Sequence, residues 1–214
     1  MKKALKQSLF FWLVVGFIFT LFVYCVVCWA DERNPFLNFG VVEQGKLYRS
    51  ALPAPKDIEA MHSRYGIQTI ICLKGSENEA IKKKAKELGM DVVEIRLRAS
   101  KPPGISTLKL IFNILNKEKI KYAYLKLPEL ISYTTRKPKA PFLLHCQMGA
   151  DRTGYVSALY RICFQGWSVK KAKLETLRYL HLPLRYPQIW RKLKQLQPEQ
   201  FCPLINPKYN FTSE

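Results

Sequence analysis

Acidic residues are scarce in this chain. Sixteen Asp and Glu stand against 35 Lys and Arg, a formal net charge of +19 over 214 residues. Residues 1–30 hold three lysines and no acid, so the remainder still carries +16. A field of that sign favours polyanionic partners, such as phosphorylated ligands or anionic lipid headgroups. No DNA- or RNA-reading motif is present, so nucleic acid is not an expected partner. There is no internal repeat and no low-complexity tract, which excludes a solenoid or a disordered chain. Of the six cysteines, only Cys25 and Cys28 lie close together, inside an apolar block where that spacing means little. No second pair has metal-ligand spacing, so no zinc site is expected. A disulfide framework is not expected either, because the chain is long enough to own a core.

Charge is missing altogether from Gln7 to Ala30. Lys2, Lys3 and Lys6 precede this run, and Asp31, Glu32 and Arg33 follow it. About 20 apolar residues suffice to cross a bilayer as a helix. The lysine flank predicts a cytoplasmic N-terminus and the rest of the chain on the non-cytoplasmic, periplasm-like side. The competing reading is a signal segment cleaved near Cys28-Trp29-Ala30, which would release the protein to the periplasm. The chain therefore divides into residues 1–33 (membrane anchor or signal segment), 34–198 (one α/β domain) and 199–214 (a tail with little pattern).

The domain reads as strands alternating with helices. Lys46 to Pro53 is extended and ends in a turn. Helical spacing of Ile58, Met61 and Tyr65 follows Pro55, and Gly66 closes that helix. Thr69–Leu73 and Asp91–Leu97 read as strands, separated by a lysine-rich helix from Asn78 to Leu88. Ile105–Leu115 is a helix behind the loop Ser100-Lys101-Pro102-Pro103-Gly104. Residues 116–139 are less legible, a basic stretch carrying Tyr122, Tyr124 and Tyr133 that reads as an amphipathic helical extension or as a basic-aromatic surface touching the membrane or a substrate. Phe142-Leu143-Leu144 is apolar and leads into His145. Beyond it, Tyr155, Val156, Leu159, Ile162 and Cys163 share one helix face, which places Cys163 in the core. Ser168 is an N-cap for Val169–Tyr179, and a last helix fits Tyr186–Leu196. This order predicts a central, mainly parallel sheet of four to five strands flanked by helices.

One stretch carries chemistry: His145-Cys146-Gln147-Met148-Gly149-Ala150-Asp151-Arg152-Thr153-Gly154. A strand, a tight loop and a helix N-terminus form an anion site, with backbone N–H groups turned inward. Cys146 is placed as a thiolate nucleophile, with the helix N-terminus and Arg152 both lowering its pKa. Arg152 offers a bidentate clamp for an oxyanion.

The spacing Cys146-x5-Arg152-Thr153-Gly154 resembles the signature of the cysteine-dependent protein tyrosine phosphatase superfamily. The form HCxxGADRTG is most similar to small bacterial and plant dual-specificity-like members. Tyr48-Arg49-Ser50 with Pro53, and Trp167 followed by Glu175, resemble that subgroup at matching places. The resemblance spans Phe39 to Leu196. It implies a phosphatase fold and a cysteinyl-phosphate intermediate, with no metal and no cofactor. It implies phosphate binding by Gln147, Met148, Gly149, Ala150, Asp151 and Arg152. Thr153 would stabilise the leaving thiolate, and His145 would orient the loop by hydrogen bonding. In some relatives a second cysteine protects the nucleophile as a disulfide; Cys72 is the candidate here, against a plain core role.

One departure stands out. Members of the superfamily supply an upstream aspartate as general acid, but none lies between Val92 and His145. Three options follow: Asp151 as the acid, a glutamate among Glu94, Glu118 and Glu129, or a leaving group acidic enough to need none. For Lys101 two readings stand, a place over the site drawing phosphate charge or an ordinary solvated lysine. The substrate classes implied are phosphotyrosine or dual-specificity protein substrates, with phosphoinositide or other lipid phosphate as the alternative. A weakly active phosphate-binding module is the reading from a different functional class.

Overall fold

The computed structural model describes residues 12, 14–22, 36–116, 128–133 and 139–209. The chain forms two units, Met1–Pro35 and Phe36–Glu214. Within the first, residues 14–22 are helical and exposed. Among the described residues, no helix is long and apolar enough to cross a membrane. Most of the apolar run at 7–30 lies outside the described residues, as do Tyr122, Tyr124 and Glu118 of the basic stretch.

In the second unit the strands are β1 (Gly40–Glu43), β2 (Leu47–Ser50), β3 (Thr69–Cys72), β4 (Asp91–Ile95), β5 (Leu130–Tyr133) and β6 (Phe142–His145). They form one sheet in the order β1-β2-β6-β3-β4-β5. The inner four are parallel, and β1 and β5 run antiparallel at the edges. Six strands therefore replace the four to five expected. The additions are the edges, which the hydrophobic pattern hides: β1 is half exposed, and β5 sits in the basic stretch.

The inner strands are apolar at successive positions because both their faces are covered. Alternate residues point to opposite faces. Leu47, Ile71, Val93 and Leu144 enter one core, with residues of helices α3 (Ile105–Leu115) and α4 (Asp151–Gln165). Tyr48, Ile70, Val92 and Leu143 enter the other, with α1 (Pro55–Tyr65) and α2 (Glu79–Glu87). Each such aliphatic side chain contributes about 1.5–3 kcal/mol on burial. Gly66 closes α1 at φ 66°. Asn78 caps α2 by accepting from Ala80 N–H, and Ser168 caps α5 (Val169–Arg178) by accepting from Lys171 N–H.

Two expectations at the C-terminus are corrected. Beyond α6 (Pro187–Lys194) the tail is not patternless: Pro198–Ile205 forms α7, with Cys202 and Ile205 buried in the core. Pro198 lies in the first turn, where its missing N–H costs nothing. Cys163 is indeed buried, but it is disulfide-bonded to Cys202 across 5.1 Å between Cα atoms. The partner was invisible because the tail showed no helical periodicity.

Candidate active site

Ser50 at the end of β2 and Cys72 at the end of β3 both lie in register with His145 at the end of β6. Three parallel strands thus stop at one level, and the loops following them gather along one edge. Ligand sites of α/β sheets lie at that carboxyl edge. The loop from Cys146 to Ala150 leaves β6 there and enters α4 at Asp151.

What shapes this loop is the outward anchoring of three successive carbonyl groups. Leu52 N–H donates to Gln147 O at 3.0 Å. Asn38 Nδ2 donates to Met148 O at 2.6 Å. Arg49 Nη2 donates to Gly149 O at 2.5 Å. In a trans peptide the carbonyl and the next N–H point in opposite directions. Fixing carbonyls 147, 148 and 149 outward therefore directs the N–H groups of Met148, Gly149 and Ala150 inward. Gly149 adopts φ 66°, and a Cβ there would lie 2.5 Å from Ser50 O and 2.6 Å from Ala51 N. Only glycine lets the loop pack this tightly on β2.

Arg49 is the main brace. It is almost fully buried, and its guanidinium lies 3.8 Å from the Tyr179 ring centroid. Burial pulls its pKa down to about 10, against the opposing influence of Tyr179, Glu175 and Cys146. It remains a cation at neutral pH.

Cys146 is buried at the start of the loop. Burial pushes its thiol pKa up, yet the net direction is downward. The Thr153 hydroxyl and N–H, the Arg152 charge and the Gly149 N–H outweigh desolvation. The buried Thr153 hydroxyl has no other hydrogen-bond partner among the described residues, so the thiolate is the group it serves. Behind the loop, His145 Nε2 lies 2.5 Å from Glu77 Oε2, with neither side chain exposed. Its Nδ1 lies 3.1 Å from Cys146 O. Burial lowers the His145 pKa, but Cys72 and Glu77 prevail and push it up to about 10. An imidazolium donates from both nitrogens, which matches its two acceptors.

Arg152 is half buried, and its buried Nε has no hydrogen-bond partner among the described residues. A buried donor of this kind suits an anion held against Cys146. Asp151 sits in the first turn of α4, and its Oδ1 is 2.7 Å from Nδ1 of the buried His181. Gln147 and Met148 are exposed at the mouth, while Gly149 and Ala150 are buried.

The other proposed acids separate. Glu94 is buried and bonded to Ser132 Oγ (2.5 Å), Glu77 N–H (2.6 Å) and Lys82 Nζ (2.9 Å). Burial raises its pKa, but these partners hold it below the usual carboxylate range. A carboxyl kept ionised in this way is no proton donor, so Glu94 is withdrawn as the acid. Glu129 and Lys101 line a cavity of about 590 Å³ together with Arg96 and Arg98. That cavity lies beside the loop following β4. None of the three cations is in an ion pair among the described residues.

Several contributors went unseen in the sequence. Asn38 lies in a segment without regular signals, at φ 51°. Glu77, Tyr179 and His181 approach the loop from distant turns, and no local spacing announces them. Only Arg49 carried a hint, through the Tyr-Arg-Ser match. Trp167 and Glu175, also matched, hold Arg161 between them: its guanidinium lies 4.2 Å from the Trp167 ring and 2.7 Å from Glu175. Among the described residues, Cys72, Glu77 and His145 could offer a metal ion three buried ligand atoms, all within 4.8 Å of one another. An ion there would have to break the Glu77–His145 bond.

A loop of inward N–H groups closing on a thiol, with an arginine at the helix start, is the oxyanion site of the cysteine-dependent phosphatases as a class. Residues 34–185 match the model of the tyrosine phosphatase family, and the chain belongs to that family. It is 27% identical over 150 residues to the dual specificity protein phosphatase TpbA of Pseudomonas aeruginosa strain UCBPP-PA14, a match covering 70% of this chain. It spans 57% of that relative's length. The crystal structure of P. aeruginosa TpbA superposes with a TM-score of 0.59 at 19% identity, covering 79% of this chain and 91% of that one. The catalytic domain of the PP-IP phosphatase SIW14 from S. cerevisiae gives 0.58 at 20% identity, covering 76% and 87%. These structural likenesses concern the fold.

Proposed function

We propose that this protein is a cysteine-dependent phosphatase acting on phosphotyrosine or dual-specificity protein substrates. The observation that carries the reading is the set of three outward-tied carbonyls, which turns the loop N–H groups toward Cys146. The Cys146 thiolate attacks phosphorus, and the bond to the leaving oxygen breaks. Arg152 and the loop N–H groups hold the equatorial oxygens as charge shifts onto them. Water then attacks phosphorus, the sulfur–phosphorus bond breaks, and phosphate departs. The Thr153 hydroxyl donates to the departing thiolate.

Asp151 is assigned a positioning role, since its carboxylate is engaged by His181. Departure is then fastest for an acidic leaving group, a phenol or a phosphate, which needs no strong acid, and slower for the alkyl oxygens of phosphoserine, phosphothreonine or an inositol. The solved complex of a TpbA variant with pTyr agrees with the phenol. A second reading is favoured by the cavity of Arg96, Arg98 and Lys101. It suits a substrate with a further phosphate, which includes phosphoinositides and the PP-IP class of SIW14.

The N-terminal run is read as a membrane anchor, with the catalytic unit on the non-cytoplasmic side. Its lack of charge, its lysine flank and the exposed apolar residues at 14–22 support this. So does the Cys163–Cys202 disulfide, since such bonds persist in oxidising compartments. Carbonate extraction and protease protection of membranes test the placement.

Activity is tested with the full chain in detergent, on a phosphotyrosine peptide, an inositol pyrophosphate and a phosphoinositide. Cys146→Ser serves as the control. Phosphate release from the peptide and acid-stable labelling of Cys146 are expected. Failure to release phosphate from all three would leave only the phosphate-binding module.

A further inference from the structure

Five leucines stand exposed within one short segment: Leu174, Leu177, Leu180, Leu182 and Leu184. Leu184 is 98% exposed and Leu182 58%, far from the norm for a packed chain. Exposed apolar side chains clustered in this way mark an interaction surface. Two of the five belong to one face of α5, where Lys170, Leu174, Leu177 and Arg178 recur at helical spacing. All four are exposed, while Ala172 and Thr176 on the other side are buried. The other three leucines lie in the turn between α5 and α6.

That turn is built rather than loose. Leu180 is held at φ 62°, in the left-handed region that leucine rarely adopts. His181 N–H, donating to Thr176 O at 3.1 Å, fixes the reversal. The His181 side chain binds Asp151, the residue of α4 that follows the phosphate loop, at 2.7 Å. A surface bound by the leucines is therefore held in a fixed relation to the loop.

The surroundings are cationic. From Ser168 to Leu196 the chain has eight Lys and Arg and a single acid, Glu175, which is paired with Arg161. Lys170, Lys171, Arg178 and Arg185 are exposed around the leucines. A second copy would bring the same positive face against this one, which disfavours self-association. We propose that the α5 face and the α5–α6 turn dock on an anionic lipid bilayer. The leucines enter the acyl boundary, and the cations bind headgroup phosphates. The charge complementarity carries this choice. A bilayer also needs no matching shape, and the turn presents only leucines with cations at their rim. The docking site is independent of the N-terminal run and of the substrate of Cys146.

The test is amide hydrogen exchange of the full chain with vesicles of phosphatidylcholine alone or with about 30% phosphatidylglycerol. Residues 174–186 are expected to exchange about tenfold more slowly with the anionic vesicles only, and high salt should remove the effect. Leu182→Ser with Leu184→Ser, and separately Lys170→Glu with Arg178→Glu, should abolish the protection. These side chains are exposed, so an unchanged melting temperature is expected. No protection, equal protection by neutral vesicles, or protection retained in both double variants would overturn the proposal. Equal protection by soluble polyglutamate would replace the bilayer with an acidic protein partner.

Discussion

Glu77 and His145 meet at 2.5 Å with neither side chain exposed, directly behind the residue that carries the nucleophile. Their charges compensate inside the protein, and His145 spends its second nitrogen on the Cys146 carbonyl at 3.1 Å. The pair thus links the β3–α2 turn to the floor of the phosphate loop.

Replacing Glu77 with Gln should leave His145 without its counter-charge. Breaking a buried pair costs about 3–5 kcal/mol. The His145 pKa is raised from 6.5 to about 10, so its contribution to stability is complete below 6.5 and lost as pH rises through about 10. Glu77 is lowered from 4.5, so its contribution is present above 4.5 and lost as pH falls through the depressed value. Denaturant unfolding from pH 4 to 10 should show the wild type losing stability at both ends. The Glu77→Gln variant should be flatter and weaker throughout. The acid limb of kcat/KM should also move to higher pH, because the Cys146 thiolate loses a nearby cation.

Arg49→Lys should lower kcat/KM by about 10²-fold, through a misplaced loop rather than a lost substrate contact. Lysine keeps the charge but has neither the flat face that stacks on Tyr179 nor the fork that reaches Gly149 O. Steady-state kinetics should show most of the loss in kcat, with phosphate inhibition weakened as well.

Gly149→Ala should destabilise the domain by at least about 2 kcal/mol. The left-handed backbone penalises alanine, and its Cβ would press on the Ser50–Ala51 peptide. Because the obstacle is backbone, no rotamer can relieve it. Thermal unfolding and phosphatase activity should fall together.

Asp151→Asn and His181→Gln should behave alike if Asp151 positions the loop. Both should slow hydrolysis of aryl and alkyl phosphates by a similar factor, roughly 10- to 100-fold. A loss confined to the alkyl substrate in Asp151→Asn alone would restore Asp151 as the general acid.

Cys202→Ser should lower stability by about 2–4 kcal/mol, and a reductant should produce the same shift in the wild type. Differential scanning calorimetry with and without dithiothreitol checks this. Activity at low temperature should be retained, since the bond joins α4 to α7 away from the loop.

Much of this protein was legible from local pattern. Ile58, Met61 and Tyr65 with Gly66 marked α1, and the apolar runs at 69–73 and 142–144 marked two inner strands. The ten residues from His145 to Gly154 marked the site. The edge strands were not legible: the four residues of β1 alternate too briefly to register, β5 lies in the basic stretch, and both exist because β2 and β4 offer them partners. α7 was missed for a similar reason, since only Cys202 and Ile205 are fully buried.

What the sequence determined by itself is the chemistry: a thiol, an arginine and a hydroxyl at spacings that a strand–loop–helix turn must bring together. Those contacts span few residues, so covalent connection places them. What only the tertiary structure decided is how that loop is held. Asn38, Arg49, Glu77, Tyr179 and His181 come from remote parts of the chain, and contacts across such separations depend on the packed sheet. It also decided the fate of the carboxylates. Glu94 became a buried brace and Asp151 a partner of His181, because a carboxyl's role follows from which cations and donors the fold places around it.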